Sequence, residues 1–326
     1  MSAIRQTTNK SLMLFSGRAY PELTMEIAGH LGVTPTPTSS YEFANGELFV
    51  RFEESVRGCD AFVVQSHTAP INTWLMEQLI MVDALKRASA KRITVVAPFF
   101  PYARQDKKHR GREPISARLV ADMFKTAGAD RILTVDLHTS QIQGFFDGPV
   151  DHLWALPVLA EYVLGKYDTS EMVVVSPDAG RVRLADMWTD RLGCPLAIIH
   201  KRHDTNVANQ VKVHEVVGDV RGKVCLLVDD MIDTAGTICQ AADALMDHGA
   251  KQVIAATTHP VLSGPARERL AESAFDEIIV TNTLPIPDGC RDLAKLTVLS
   301  IAPLIAQAIH EVFEDGSVTS LFDGKA

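Results

Sequence analysis

Residues 224–237 read VCLLVDDMIDTAGT, and this stretch decides the fold. An apolar run ends at two adjacent carboxylates, Asp229 and Asp230, and small residues follow a third carboxylate, Asp233. A continuously apolar run of this length is typical of a strand that is buried on both faces. We therefore interpret 224–230 as a strand of a parallel sheet whose carboxyl end carries the polar residues.

Similar apolar runs recur along the chain and alternate with segments of helical pattern. The runs are rich in β-branched residues and cover 61–65, 92–100, 131–138, 172–178, 196–200, 224–230, 253–259 and 277–282. Several helix-length segments between them end at a glycine, as at Gly128 and Gly249. This alternation predicts an α/β protein with parallel sheets that are covered by helices on both faces.

An internal repeat divides the chain into halves. Residues 121–138 and 242–259 align without gaps, and both begin with Ala-Asp, contain Gly-Ala and end in histidine. Chance similarity between two strand–helix units is the alternative to duplication. We favour duplication and predict two similar doubly wound domains, over 10–155 and 156–312, followed by a tail over 313–326.

The small residues after the carboxylates are suited to binding a phosphate. Ligands of open α/β sheets lie at the carboxyl ends of strands, where N–H groups at the start of a helix bind anions. Thr234, Ala235, Gly236 and Thr237 have the small side chains that this needs, and we interpret Thr237 as the helix N-cap. The carboxylates would repel a phosphate, so we expect them to face sugar hydroxyls or hydrated Mg²⁺. A phosphorylated ribose satisfies both parts, and a solvated acidic turn is the alternative.

Composition argues against several classes of protein. The 326 residues carry a net charge of −8, which is unfavourable for a general nucleic-acid-binding protein. Five scattered cysteines without a C-x-x-C pair argue against a disulfide framework or a structural zinc site and suit a reducing cytoplasm. No apolar run approaches the roughly 18 residues of a membrane span. We expect a cytoplasmic protein that binds neither nucleic acid nor membranes.

Further motifs point to a family. They are EFANGELFVRF (42–52), PYARQDKKHRGREPIS (101–116), DLHTSQIQGFFDGPVDH (136–152), VVSPDAG (174–180), THPVLSGPA (258–266) and GSVTSLF (316–322). The segment VDDMIDTAGT resembles the phosphoribosyl-diphosphate signature of the type I phosphoribosyltransferase fold. With it, the motifs resemble the ribose-phosphate pyrophosphokinases from about Leu12 to Phe322. The resemblance implies a kinase of nucleotide biosynthesis that moves the diphosphoryl group of MgATP to the 1-hydroxyl of ribose 5-phosphate.

The resemblance also implies which residues bind each substrate. For ribose 5-phosphate they are Asp229, Asp233, Thr234, Ala235, Gly236 and Thr237. For ATP they are Asn45, Gly46, Glu47, Arg104 and Gln105. Five Lys or Arg residues within 104–112 of an acidic protein favour a nucleotide loop over a solvated basic loop.

The metal that the resemblance implies is Mg²⁺, with His138 and Asp178 as its protein ligands. Both follow predicted strands. Imidazole is an unusual ligand for Mg²⁺, which prefers oxygen, so we expect ATP phosphates and water to complete its coordination. The equivalent histidine of the second repeat, His259, is interpreted as structural.

The catalytic loop departs from the family pattern. Members usually have Lys-x-Arg here, and this chain has Lys201, Arg202 and His203. Lys201 matches the family lysine and is expected to be the main cation for the transition state. Either Arg202 or His203 replaces the second cation, and the sequence leaves that choice open.

Assembly and regulation are also implied by the resemblance. Family enzymes are homo-oligomers, commonly hexamers, whose ATP sites draw residues from two subunits, and many respond to inorganic phosphate and ADP. The tail segment with Ser317 and Thr319 matches part of the regulatory site. A frayed tail is the alternative.

Two other functions remain alternatives. A nucleobase phosphoribosyltransferase would leave the duplicated half and its basic loop without a role. A non-catalytic regulatory relative would be expected to have lost the catalytic loop or the metal residues, and only His203 favours it.

Overall fold

The computed structural model describes residues 10–202 and 213–322. Contacts divide the chain into two compact units, and each is described separately below. One contains residues up to Leu153 together with those from Ala302, and the other contains Trp154–Ile301. Within the described ranges, no helix is long and apolar enough to cross a membrane.

The first unit is built on a five-stranded parallel sheet in the order β1-β4-β5-β6-β7, and β2 and β3 form a separate antiparallel hairpin. Its elements before residue 154 are β1 (Leu12–Ser16), α1 (Pro21–Leu31), β2 (Thr38–Glu42), β3 (Leu48–Phe52), β4 (Asp60–Val64), α2 (Ile71–Arg87), β5 (Arg92–Ala97), α3 (Ser116–Ala127), β6 (Arg131–Val135) and β7 (Val150–Leu153). Val63 of β4 and Val95 of β5 pack in one cluster with Met81 of α2 and Val120 of α3. These two helices therefore cover one face of the sheet, as its apolar strands require.

The second unit has a seven-stranded sheet in the order β10-β9-β8-β11-β12-β13-β14, in which only the edge strand β10 is antiparallel to its neighbour. Its elements are α4 (Leu156–Lys166), β8 (Met172–Ser176), α5 (Val182–Leu192), β9 (Leu196–Arg202), β10 (Val213–Val217), β11 (Val224–Ile232), α6 (Gly236–Asp247), β12 (Gln252–Pro260), α7 (Ala266–Glu272), β13 (Glu277–Thr281) and β14 (Leu296–Leu299). The α/β class and the parallel sheets predicted from the sequence are confirmed.

The strand order of the second sheet reverses between β8 and β11. The chain goes outward from β8 to β9 and then returns to place β11 on the other side of β8. The carboxyl ends of strands at such a reversal form a crevice in which α/β proteins bind ligands. The crevice of this unit is therefore formed by the residues that follow Ser176 and by the last residues of β11.

Strand β11 is longer than the sequence predicted. It does not stop at Asp230 but continues to Ile232, because its pairing with β12 persists to Ile232 opposite Pro260. Its pairing with β8 ends much earlier, at Leu227 opposite Val175. The two adjacent carboxylates consequently lie on a part of β11 that is still paired with β12 but no longer paired with β8.

The repeat seen in the sequence corresponds to equivalent elements. Helix α3 and strand β6 occupy the first copy, and α6 and β12 occupy the second. The loops that precede these helices differ in length. Eighteen residues (98–115) separate β5 from α3, whereas three (233–235) separate β11 from α6.

The C-terminal helix differs from the predicted domain division. We assigned 302–312 to the second domain, but α8 (Ala302–Phe313) belongs to the first unit, where it packs on α1. The residues after it also bind this unit, because the Asp315 carboxylate pairs with Lys10 and lies 2.6 Å from Arg92 Nη1. The repeat predicted the two cores correctly, but it could not show on which core the last helix packs.

A buried carboxylate joins α4 to the sheet of the second unit. Glu277 Oε1 accepts hydrogen bonds from Tyr162 Oη at 2.7 Å, Lys166 Nζ at 2.8 Å and Thr297 Oγ1 at 2.6 Å, and Oε2 accepts one from Tyr167. Burial alone would raise the pKa of Glu277, but these hydrogen bonds outweigh burial and lower it to about 2.

We expect Glu277→Gln to lower the free energy of unfolding by roughly 1.5–3 kcal/mol at pH 7, the worth of hydrogen bonds to a charged group. Because the pKa of Glu277 is lower in the folded state than its ordinary 4.5, its contribution is complete above pH 4.5 and is lost as pH falls towards 2. Urea unfolding of wild type and variant at pH 7, 5, 4 and 3 measures this.

The difference between the two proteins should be constant from pH 7 to 5 and then shrink. Glu171→Gln is the control, because Glu171 forms an exposed pair with Lys251 and such pairs contribute little. A difference that is the same at every pH would contradict the role given to Glu277.

Candidate active site

The paired carboxylates at the end of β11 bind an arginine that the sequence did not identify. Arg181 Nε lies 2.9 Å from Asp229 Oδ1, and Arg181 Nη2 lies 2.8 Å from Asp230 Oδ1. Burial and the adjacent Asp230 carboxylate raise the pKa of Asp229, and the Arg181 guanidinium opposes that rise. The crevice thus holds two carboxylates and one fixed positive charge.

The loop after β11 is fixed by residues that precede and begin α7. Ser263 Oγ donates to Asp233 Oδ1, and the backbone N–H of Ser263 donates to the carbonyl oxygen of Asp233 at 3.0 Å. Arg269 Nη1 donates to the carbonyl oxygen of Thr234 at 2.9 Å. These contacts hold the backbone of the loop in place directly before α6.

Helix α6 starts at a different residue from the one predicted. Thr237 is not its N-cap: the helix begins at Gly236, and the residue before it, Ala235, has a left-handed backbone with φ of 61°. The first helical hydrogen bond goes from Cys239 N–H to the carbonyl oxygen of Ala235. The N–H groups of the residues before Cys239 are therefore the unpaired donors of a helix start, which is the arrangement that binds a phosphate.

Gly236 is closely confined. A Cβ atom on it would lie 3.0 Å from Arg269 Nη1, closer than side chains normally pack. A larger residue would therefore displace the guanidinium that holds Thr234, and the geometry of the whole loop with it.

Asp178 follows β8, on the opposite side of the same crevice. Its Oδ1 accepts hydrogen bonds from Gly180 N–H at 2.8 Å and Arg181 N–H at 3.2 Å, which forms a short 3₁₀ turn over Ala179–Arg181. Among the residues that the structure describes, none binds Asp178 Oδ2. That half-buried oxygen is the kind of ligand Mg²⁺ prefers.

Lys201 lies near the end of β9, where its backbone pairs with His214 of β10. Arg202 is the last residue of the strand. His203, the residue that departs from the family pattern, lies outside the described residues.

The residues expected to bind ATP lie in two segments of the first unit. Asn45, Gly46 and Glu47 form the exposed tip of the hairpin between β2 and β3. Gly46 has φ of 90°, a conformation that favours glycine, and Glu47 N–H donates to Asn45 Oδ1 at 3.2 Å. Within the part of the chain that the structure describes, the hydrogen bonds of these three residues stay inside the hairpin.

The second segment contains Arg104 and Gln105, both exposed. Ser116 Oγ, at the start of α3, donates to Gln105 Oε1 at 2.6 Å. The next residue, Asp106, is only 5% exposed, and its carboxylate accepts hydrogen bonds from Thr139 Oγ1 at 3.0 Å and from Gln141 Nε2. Asp106 thereby anchors the basic loop to the turn that follows β6.

The two histidines of the repeat have different surroundings. His138 is half-buried and lies three residues after the end of β6. His259 is 1% exposed within β12, and its Nδ1 lies 2.9 Å from Thr283 Oγ1. The buried, bonded ring agrees with the structural role expected for His259.

The C-terminal tail continues as a 3₁₀ turn over Val318–Phe322, and Phe322 is buried. The hydroxyl groups of Ser317 and Thr319 lie 2.8 Å apart. The tail therefore forms a compact turn up to Phe322.

Comparison with known proteins identifies the family. The model for the N-terminal domain of ribose phosphate pyrophosphokinase matches residues 12–128, and that for the phosphoribosyl synthetase-associated domain matches 206–323. The ribose-phosphate pyrophosphokinase of Streptomyces avermitilis is 69% identical over 323 residues, which cover 99% of both chains. That of Mycobacterium leprae is 65% identical over 318 residues, 97% of both. This chain belongs to the ribose-phosphate pyrophosphokinase family.

A solved structure agrees with this result. The phosphoribosylpyrophosphate synthetase of Mycobacterium smegmatis superposes with a TM-score of 0.90 at 64% identity, over 94% of this chain and 100% of that one. The resemblance inferred from the motifs is confirmed. Membership of this family argues against the alternative of a nucleobase phosphoribosyltransferase.

Sequence patterns gave little sign of three residues that the structure adds to the site. Arg181 and Asp106 adjoin motifs but have no distinctive spacing, and Arg269 lies in a helix that carries other charges. One signal was available. A pair of carboxylates at a buried strand end requires a positive partner, and VVSPDAGR follows the neighbouring strand.

Proposed function

We propose that this chain is a ribose-phosphate diphosphokinase, which transfers the diphosphoryl group of MgATP to the 1-hydroxyl of ribose 5-phosphate. The products are phosphoribosyl diphosphate and AMP, and the first of them feeds nucleotide and amino-acid biosynthesis. One observation carries the proposal: a single strand end joins fixed carboxylates to a helix start with unpaired N–H groups, in a chain related over its full length to enzymes of that name.

Ribose 5-phosphate fits the end of β11 because its two ends differ in charge. The phosphate takes the N–H groups at the start of α6, together with the hydroxyls of Thr234 and Thr237. The sugar hydroxyls face Asp229, and Asp233 closes the loop through Ser263. Carboxylates accept hydrogen bonds from hydroxyls and repel phosphate, so the substrate binds in one orientation.

ATP binds Arg104 and Gln105, and the hairpin residues Asn45, Gly46 and Glu47. The guanidinium of Arg104 donates to phosphate oxygens as a fork. The exposed hairpin tip, whose contacts stay within the hairpin, is available to a neighbouring subunit. That exposure supports a homo-oligomer, commonly a hexamer in this family, with ATP sites shared between subunits.

Mg²⁺ would be held by Asp178, whose Oδ2 has no partner among the described residues, and the family resemblance implies His138 as a further ligand. When bound with ATP it would neutralise phosphate charge. The protein's own contribution is positioning, because phosphoryl transfer depends mostly on the alignment of the attacking oxygen and on positive charge around the transferring group.

Lys201 supplies positive charge to the transition state, and Arg202 or His203 supplies the second cation of the family pattern. Inorganic phosphate and ADP are the proposed effectors at the tail that carries Ser317 and Thr319. The cytoplasm is the proposed location, and the five cysteines support it because all are buried and unpaired.

The decisive experiment supplies the purified protein with Mg²⁺, ATP and ribose 5-phosphate. AMP should appear in step with phosphoribosyl diphosphate, because attack at the β-phosphorus breaks the bond to the α-phosphate. Chelation of Mg²⁺ should abolish turnover, because the protein's cations alone would then have to neutralise the negative charge of the triphosphate. ADP as the nucleotide product would overturn the proposal, and absence of both products would indicate the non-catalytic relative.

Gly236→Val should raise the KM for ribose 5-phosphate by tenfold or more, because its side chain would displace Arg269 and obstruct the N–H groups of the loop. Asp233→Ala should act in the same direction. The KM for ATP should change less than twofold. Gly165→Val is the control, since nothing lies near a Cβ atom at that exposed helical position. Unchanged sugar affinity in both loop variants would refute the assignment.

Lys201→Ala should lower kcat by roughly 10³–10⁵, the scale expected for loss of a transition-state cation in phosphoryl transfer. Single-turnover kinetics with saturating substrates separate this effect from binding. Lys251→Ala is the control, because Lys251 is an exposed lysine of the same unit. A loss of less than tenfold in kcat would show that Lys201 is not the cation of the transition state.

A further inference from the structure

Arg181 occupies the gap that opens where β11 passes β8. Pairing between the two strands ends at Leu227 opposite Val175, and Asp229 and Asp230 lie beyond that point. The Arg181 side chain, from the turn that follows β8, bridges the two carboxylates at 2.9 and 2.8 Å. It is therefore part of the crevice wall.

The bridge is held at both ends. On the backbone side, the Asp178 carboxylate accepts a hydrogen bond from Arg181 N–H and fixes the turn from which the side chain leaves. On the other side, Asp229 Oδ1 receives both the Arg181 guanidinium and the N–H of Asp230, the latter at 2.8 Å. This double use of Oδ1 fixes the rotation of the Asp229 carboxylate.

Charge explains why a residue of this kind is needed. The side chain of Asp230 is 5% exposed, and those of Arg181 and Asp229 are 18% and 21% exposed. Two adjacent carboxylates with so little solvent repel each other, and a guanidinium can pair with both at once through its planar fork, which offsets part of that repulsion. A lysine could neutralise the charge but could not bridge the two groups with the same geometry.

We propose that Arg181 is a positioning residue for the sugar: it holds Asp229 and Asp230 in the arrangement that binds the hydroxyls of ribose 5-phosphate. The proposal rests on the proposed function and adds a residue to it. Without Arg181 the carboxylates would turn apart, and the hydroxyls would lose an oriented acceptor. The effect should fall on the sugar and not on the nucleotide, whose residues lie elsewhere.

The test compares Arg181→Gln and Arg181→Lys with Arg191→Gln. Arg191 is an exposed residue in the last turn of α5, the helix that follows Arg181, so its replacement removes the same charge without touching the crevice. Calorimetry measures binding of ribose 5-phosphate to the full-length protein with Mg²⁺ and the α,β-methylene analogue of ATP, which cannot transfer its diphosphoryl group. Steady-state kinetics give the KM for each substrate.

Arg181→Gln should weaken ribose 5-phosphate binding by tenfold or more and raise the KM for ribose 5-phosphate by a similar factor. The KM for ATP should change less than twofold. Arg181→Lys should recover part of the loss, and Arg191→Gln should match wild type. A purely structural role would instead lower the melting temperature and weaken both substrates equally, and that result would overturn the proposal.

Two outcomes distinguish a failure of this proposal for Arg181 from a failure of the proposed function. If wild type makes AMP while the Arg181 variants bind the sugar normally, the proposal fails and the function stands. If Arg181→Gln does not fold, Arg181→Lys decides, because it keeps the buried charge. Unchanged sugar binding in Arg181→Lys would then overturn the proposal.

Discussion

The second unit depends on a mismatch of length between neighbouring strands. Strand β11 remains paired with β12 up to Ile232, but its pairing with β8 ends at Leu227. The side chains of Asp229 and Asp230 lie beyond that point, and Arg181 of the turn after β8 pairs with both of them. Three features of the site lie where the pairing with β8 has ended. They are the carboxylates on a paired strand, the arginine that contacts them, and the helix start a few residues later.

The electrostatics of the gap are balanced locally rather than by the protein as a whole. A chain with a net charge of −8 would not attract a phosphorylated substrate to an acidic strand end by its overall field. Arg181 meets the two carboxylates, and Arg269 holds the carbonyl oxygen of Thr234. The two strand-end carboxylates and the Thr234 carbonyl oxygen therefore each contact a guanidinium, and the N–H groups of the helix start are left for an anion.

Sequence patterns predicted those features of the fold that reflect burial. They did not predict the features that depend on tertiary contacts. Apolar runs located the buried strands, because residues covered on both faces must be apolar. They could not show that β11 continues through Asp229 and Asp230, since that depends on pairing with β12. Thr237 has the composition of an N-cap, but the left-handed backbone at Ala235 starts the helix earlier. The position of α8 depends on its packing against α1, which a local pattern does not contain.

The repeat also shows how two equivalent strand–helix units can carry an acidic loop in one copy and a basic loop in the other. Strands β5 and β11 precede equivalent helices, yet three residues follow β11 and eighteen follow β5. A short connection brings the helix start directly to the strand end, which suits a small anionic group. A long connection cannot do this without an anchor, and the buried Asp106 provides one by binding Thr139 and Gln141. The same comparison separates the two histidines: His259 is bonded within a strand that continues past it, whereas β6 stops at Val135 and leaves His138 on a turn. Length of strand and loop, more than residue type, thus determines the surroundings of equivalent positions in the two copies.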